Sequence, residues 1–313
     1  MISSSKIVGR SPAAFTLARA IVKAAPTEAS VLIVGESGTG KEIVARAVHA
    51  RSSRSDAPFI AVNCGAISAS LAESELFGHE KGSFTGASAT TSGCFERAHQ
   101  GTLFLDEITE MPMNMQVQLL RILETGQYHR VGGSEQLQVN VRIIAATNRA
   151  PKAAVQEGRF RSDLLYRLAV FPIWVPPLRD RKSDIAYLAQ RFLDELNAQE
   201  NTKKQFSPKT IEKLENHNWP GNIRELKNHV TRAFILADDV LDMAPAVSAF
   251  RVPDPLAAEG FLKIPIGTPL TTAQHAIIRA TLEHYDGDKR RAALALGISP
   301  KTLYNRLESA RRN

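Results

Sequence analysis

The sequence predicts an α/β sandwich, continued by an all-helical unit and ended by a small all-α tail. Three observations predict it. Short apolar runs alternate with helical periodicity over residues 7–178, as expected of strands covered on both faces by crossover helices. Residues 183–238 carry the helical period only, with helices expected over Asp184 to Asn197, Ser207 to Asn216 and Ile223 to Leu236. Residues 241–269 hold five prolines (Pro245, Pro253, Pro255, Pro265, Pro269) and no sustained period, so they read as a linker before helical residues 270–313. The expected divisions are a short N-terminal extension (1–6), the sandwich (7–178), its helical companion (179–240), the linker (241–269) and the tail (270–313).

The first strand is Val31-Leu32-Ile33-Val34. It enters Gly35-Glu36-Ser37-Gly38-Thr39-Gly40-Lys41-Glu42, after which a helix is expected from about Ile43 to His49. Strand, glycine-rich turn and helix make a phosphate cradle: glycines let backbone N–H groups converge, and a lysine reaches the outer phosphates. Glu42 stands where a magnesium-ligating hydroxyl is usual, so a carboxylate is available to the metal directly or through water. A glycine-rich turn without nucleotide is the competing interpretation, and the strand–loop–helix context opposes it.

A second half-site follows. Thr102-Leu103-Phe104-Leu105 is apolar and ends in Asp106-Glu107. Asp106 is placed to hold the magnesium shell, and Glu107 to polarise the attacking water. Capping of the next helical turn would explain the same pair less well. Val141 to Asn148 and Phe59 to Val62 are further strands with polar carboxyl ends, where open α/β sheets bind ligands. Thr147 and Asn148 are thus placed to sense the outer phosphate, and Asn63 to restrain Glu107. Ordinary turn chemistry is the alternative for either asparagine.

Between these halves lies Gly82-Ser83-Phe84-Thr85-Gly86-Ala87. Two glycines bracket a Phe-Thr pair, which reads as a mobile hairpin tip. An apolar side chain on such a tip implies a partner protein.

At these residues the chain resembles the AAA+ domain of bacterial enhancer-binding proteins, the activators of sigma-54 RNA polymerase. The likeness runs from about Ile7 to Asp238. It rests on Gly35 to Glu42, Glu73 to Glu80, Gly82 to Ala87, Gly101 to Glu107 and Trp219-Pro220-Gly221-Asn222-Ile223-Arg224-Glu225-Leu226. The resemblance implies an AAA+ P-loop NTPase, an α/β sandwich with a helical lid, that uses ATP and Mg2+. It makes Glu42 a family trait. It implies that Lys41 binds phosphate, Asp106 metal, and that Glu107 activates water under restraint by Asn63. Thr147 and Asn148 match a first sensor, and Arg224 the lid's sensor arginine. Arg161 and Arg167 match arginines that reach a neighbouring subunit's site, which implies a hexameric ring. Their chemical reason is the negative charge that develops in phosphoryl transfer; a solvated helix face is the alternative. Phe84 and Thr85 match the contact to the sigma factor. Ser83 replaces the usual alanine, which bears on coupling.

The tail is basic. Thr271 to Asn313 holds eight Lys or Arg against four Asp or Glu, +4 of a total +7. Ala273, Ile277, Ile278 and Leu282 offer a core stripe. Two short helices then meet at Gly297, with Ser299 as cap and Pro300 in the next first turn. Leu303 and Leu307 face inward, leaving Lys301, Thr302, Tyr304, Asn305 and Arg306, with Lys289 and Arg290, for bases and phosphates. This resembles a Fis-type helix-turn-helix, which implies enhancer DNA and a dimer; a helical dimerisation bundle is the alternative.

The 43% hydrophobic content supplies a sizeable core. No run approaches a membrane span and Met1 to Arg10 lacks a signal-peptide core, so a cytoplasmic protein without membrane insertion is expected. Cys64 and Cys94 lack metal-ligand spacing and read as small buried residues. Three functions fit: an ATP-driven sigma-54 activator, a DNA-binding regulator whose ATPase is uncoupled from the sigma factor, and another AAA+ machine, which the 82–87 loop opposes. About six residues precede Ile7, so control by a regulatory protein in trans is expected rather than by a receiver on the same chain.

Overall fold

The computed structural model describes residues 9–66, 69–84, 87–242, 262, 264–265, 267–285, 287–300, 302–303 and 306–307. Its strands are β1 (Val31–Val34), β2 (Phe59–Asn63), β3 (Thr102–Asp106), β4 (Gln127–Tyr128), β5 (Leu137–Gln138), β6 (Arg142–Thr147), β7 (Phe171–Trp174), β8 (Gln205–Phe206) and β9 (Val240–Leu241). Its helices are α1 (Pro12–Ala24), α2 (Lys41–His49), α3 (Ala69–Phe77), α4 (Cys94–Arg97), α5 (Met113–Thr125), α6 (Pro151–Gln156), α7 (Ser162–Leu168), α8 (Ile185–Glu200), α9 (Pro208–Asn216), α10 (Asn222–Leu236), α11 (Leu270–His284) and α12 (Lys289–Ala295). Two compact units result, Met1–Ala244 and Pro245–Asn313. Most of the expected linker lies outside the described residues.

Five strands pair in parallel in the order β2-β3-β6-β1-β7. Side chains alternate across the pleat, so one strand feeds two cores. Leu32, Leu103, Leu105, Ile143 and Ala145 join Phe77, Phe95, Leu119 and Leu164 on one face. Val31, Ile33, Phe104, Ile144 and Ala146 join Leu17, Ile21, Val44 and Val48 on the other. Burial on both faces explains why these strands read as continuous apolar runs. The register pairs Val34 with Thr147 and Asn63 with Asp106, so the carboxyl ends finish along one edge.

Arg142 opens β6 almost completely buried. Its Nη1 donates to Ala25 O and its Nη2 to Ala24 O, both at 2.7 Å, closing the carboxyl end of α1. A cation there also meets the negative end of the helix.

The lid packs Trp219 against Leu178, Leu188, Leu214, Leu226 and Val230. Ser207 caps α9 as expected, its Oγ accepting the Thr210 N–H at 3.2 Å. Two expectations shift. The first lid helix spans Ile185–Glu200, because Asp184 is committed to Arg10 N, Ser11 N and Ser11 Oγ. The lid is also not helices alone: β8 pairs in parallel with β9. Leu241 is fully buried there. Lys204 Nζ donates to Phe234 O at 2.9 Å and Ala237 O at 2.6 Å, drawing the chain after α10 onto residues 205–206.

In the second unit Ile278, Ala292, Ala293 and Leu303 form a small core, with Leu282 and Leu307 against it. Ile278 is buried as expected, whereas Ile277, also expected inside, is exposed. Asp288 caps α12 through Arg290 N and Arg291 N. Gly297 takes φ +63°, and Ser299 Oγ accepts the Thr302 N–H at 3.1 Å, so the turn forms as expected. Among the described residues no helix is long and apolar enough to cross a membrane.

Arg142→Ala strands two helix-end carbonyls. It should cost about 2–4 kcal/mol in urea unfolding, since each buried unsatisfied group costs about 1–3 kcal/mol. Acid should weaken the fold as well. Burial, then the Arg142 charge, holds His49 below its ordinary 6.5, and burial lowers His229. A depressed value favours the neutral ring in the folded state, so this stability is present above 6.5 and is lost as pH falls toward the lower folded values. Unfolding midpoints at pH 7.5 and 5.5 should therefore differ, and His49→Asn with His229→Gln should shrink the difference.

Candidate functional site

The carboxyl edge of the sheet gathers most of the residues expected at the phosphate end. Gly35 follows β1, and its N–H donates to Thr147 O at 3.2 Å, joining the loop to β6. Gly38 and Gly40 take φ +77° and +94°, the left-handed region in which glycine is unstrained. Gly40 starts α2 with no side-chain cap, so the first-turn N–H groups lack a side-chain acceptor, the usual condition for anion binding. Thr39 Oγ1 donates to Glu36 O at 2.8 Å and folds the loop on itself. A cradle of backbone N–H groups with a lysine beneath suits a polyphosphate.

Lys41 is only 6% exposed. Its Nζ lies 3.1 Å from Gly35 O, 3.5 Å from Glu36 O and 3.4 Å from Glu107 Oε1. The other Glu107 oxygen accepts the Asn148 N–H at 3.1 Å. Glu107 itself has φ +52°, a conformation that costs a non-glycine residue about 1 kcal/mol or more. Its N–H donates to Asp106 Oδ1 at 3.0 Å.

Burial, then the Glu107 charge, pushes the Asp106 carboxyl above its ordinary range. A divalent cation would relieve both. Among the described residues no group of three or more His, Cys, Asp and Glu side chains could hold a metal. One carboxylate completed by phosphates and water is, however, a common donor set for magnesium. Asp106 therefore fits the role. Glu42 is placed differently: Arg46 grips its carboxylate at 2.7 and 2.9 Å on the exposed side of α2.

Asn63 is not brought to Glu107. Its Oδ1 accepts Gly65 N at 2.9 Å and Ala66 N at 3.1 Å, so it holds a turn. Thr147 Oγ1 is buried against Thr109 Oγ1 at 3.0 Å and accepts Arg149 N. Arg224 reaches the loop, donating to Ser37 Oγ at 3.1 Å. Arg161 and Arg167 contact other groups. Arg161 is bidentate to Asp163 at 3.0 and 2.7 Å. Arg167 donates to Leu123 O at 2.9 Å.

The 82–87 loop is closed at its base by Gly82 N to Ala87 O, 2.9 Å. Thr85 and Gly86 lie outside the described residues. Phe84 is 39% exposed, its ring 5.0 Å from that of His79, which Ser74 Oγ holds at 2.7 Å. Beneath it Arg130 joins Glu80 at 2.8 Å and Glu96 at 2.9 and 2.6 Å. Sequence reasoning missed this brace, because Glu80, Glu96 and Arg130 share no local pattern. It also missed Arg179, whose guanidinium joins Glu36 at 2.8 Å and holds that carboxyl below the usual range. In the tail, Thr302 and Arg306 are half-buried, and Lys301, Tyr304 and Asn305 lie outside the described residues.

Comparison with known proteins fits this geometry. Residues 7–174 match the Sigma-54 interaction domain, 179–251 the AAA+ ATPase lid domain, and 269–309 the Fis family of bacterial regulatory proteins. The chain is 45% identical over 314 residues to the regulatory protein AtoC of Escherichia coli, covering 96% of this chain and 67% of that protein. It is 47% identical to the transcriptional regulatory protein ZraR of the same organism, covering 96% and 68%. The crystal structure of NtrX from Brucella abortus in complex with ATP superposes with a TM-score of 0.74 at 34% identity, covering 98% of this chain and 70% of that one. The chain thus belongs to the sigma-54 activator family: an AAA+ P-loop domain with its lid, followed by a Fis-type helix-turn-helix region.

Because its folded-state value is raised, Asp106 weakens the folded chain at neutral pH, and the penalty fades as pH falls below that value. Asp106→Asn should therefore raise the calorimetric unfolding midpoint at pH 7, and, if Asp106 holds magnesium, any further rise on adding Mg2+ and ATP should be smaller in the variant than in the wild type.

Proposed function

We propose that this chain is an ATP-hydrolysing activator of sigma-54 RNA polymerase that remodels the closed complex through its 82–87 loop. One observation carries the reading. Lys41, Asp106 and Glu107 meet at one edge of the sheet, with Arg224 on the same phosphate loop, in a family defined by sigma-54 interaction. The ATP complex of the related NtrX supports ATP as the ligand.

The residues take these parts. The N–H groups of Gly35, Glu36, Ser37, Gly38, Thr39 and Gly40 and the start of α2 bind the phosphates, and Lys41 turns from Gly35 O and Glu107 toward the outer phosphate. Magnesium, held by Asp106, would supply charge neutralisation at the phosphate oxygens. Glu107 orients and deprotonates the attacking water. One of its oxygens is already fixed by Asn148 N–H and the other by Lys41. The restraint expected of Asn63 thus belongs to these two groups in this geometry; Asn63 gains it only by opening its own turn. Thr147 sets the end of β6, and Arg224 carries the lid's charge to the loop.

The contacts of Arg161 and Arg167 lie away from their own phosphate loop. That supports their supply to a neighbouring subunit, hence a ring, which we take to be a hexamer. Phe84 and Thr85 meet the sigma factor. The tail binds enhancer DNA as a dimer, with Lys289 and Arg290 on α12 and Lys301, Thr302, Tyr304, Asn305 and Arg306 following it in sequence.

Promoter opening by sigma-54 polymerase tests the whole reading. Wild type with ATP should open the promoter. Phe84→Ala should keep ATP turnover and lose opening by about tenfold or more, a change of about 1.4 kcal/mol. Glu107→Gln should bind ATP yet turn it over about 10²–10⁴-fold more slowly. Hydrolysis by wild type without any opening would instead favour a DNA-binding regulator uncoupled from the sigma factor, the outcome to which Ser83 points.

A further inference from the structure

The side chain of Asn222 ties together three segments. It is fully buried. Its Oδ1 accepts the Leu178 N–H at 2.8 Å, at the entry to the lid. Its Nδ2 donates to Ser37 O at 3.0 Å and lies 3.2 Å from Glu36 Oε2. Both ends of the amide are therefore used, one toward the lid and one toward the phosphate loop. The backbone adds a second set of links: Ile223 N and Arg224 N donate to Gly38 O at 3.0 and 3.3 Å.

No side chain separates these segments. A Cβ at Gly38 would overlap the Gly221 carbonyl. Asn222 holds this turn with φ +53°, in the left-handed region that asparagine tolerates better than most residues. The links converge on Glu36 to Gly38, the part of the loop whose backbone must adjust when its N–H groups close on phosphate. Rigid elements joined this way have few independent positions.

We propose that Asn222 is a positioning residue that couples the phosphate loop to the lid. Movement at Ser37 and Gly38 passes through its amide to Leu178 and to the start of α10, and so sets where Arg224 points. The inference rests on the ATP reading above and adds to it a residue whose amide meets Ser37, Glu36 and Leu178, with Pro220 O also 3.4 Å from its Nδ2.

Two substitutions separate coupling from plain support. Asn222→Gly keeps the left-handed backbone and removes both arms of the amide. Asn222→Asp keeps an acceptor for Leu178 but sets a carboxylate against Ser37 O and Glu36, so only the loop arm breaks. Hydrogen exchange would be followed over residues 33–42 and over 176–190 with 222–236, with and without the magnesium complex of a non-hydrolysable ATP analogue. In wild type both regions should gain protection. In both variants the loop should still respond, while the lid response falls to less than about half. The kcat for ATP should drop about tenfold, or about 1.4 kcal/mol, with KM changed less than about threefold, the pattern of a lost transition-state interaction.

A lid response equal to wild type in Asn222→Asp overturns the coupling and leaves the ATP reading intact. A wild-type loop that neither responds to the analogue nor hydrolyses ATP overturns both. If Asn222→Gly does not fold, by circular dichroism and a cooperative melt, Asn222→Asp decides alone.

Discussion

The parallel register of the five-stranded sheet is the constraint on which the rest depends. Because Val34 lies opposite Thr147, Asn63 opposite Asp106 and Leu105 opposite Ala145, the carboxyl ends of four strands finish within about one residue of each other. Their stopping points become a row of polar groups at the rim of an otherwise apolar slab. A shift of one residue would send each strand's apolar side chains to the opposite face. The cores on the two faces are distinct in content, so such a shift is strongly opposed. The site inherits its geometry from packing that has no chemistry in it.

Electrostatics at that rim are left partly unresolved within the chain. Asp106 is a carboxylate that would ionise more readily in water, and Glu107 sits in a backbone conformation that few residues choose. Lys41 answers one charge for two. Tension of this kind is characteristic of sites prepared for a ligand, since the ligand's own charge completes the balance. The lid shares in it: Arg179 and Asn222 meet Glu36 from one side while Arg224 meets Ser37 from another.

Much of this was legible in the residues. β1 matched its apolar run residue for residue, because a doubly buried strand has nothing else to read. The cap at Ser207 and the turn at Gly297 were legible because a hydroxyl before Pro and a glycine between helices each have one common use. What escaped was long-range and polar. Nothing near Asn63 announces whether its oxygen will serve a distant glutamate or its own turn, and the turn prevailed by proximity. The helix start at Ile185 was displaced because Asp184 serves Ser11, far away in sequence. Arg130, Glu80 and Glu96 form a brace whose members come from three separate segments. Such pairings are settled by tertiary packing, which periodicity does not encode.

The pairing of Arg161 with Asp163 bears on selectivity. A bare guanidinium on a chain that also carries a basic DNA-binding region would attract phosphate from any source. Here Asp163 occupies its Nε and Nη2 edge. The pair is exposed, and an exposed ion pair is screened by solvent and adds little. The mask is therefore light: a weakly placed phosphate gains little by displacing it, whereas one presented at fixed distance and angle displaces it readily. On the proposed reading of Arg161, the carboxylate acts as a competitor, so discrimination between correct and stray phosphates would arise from geometry rather than from charge.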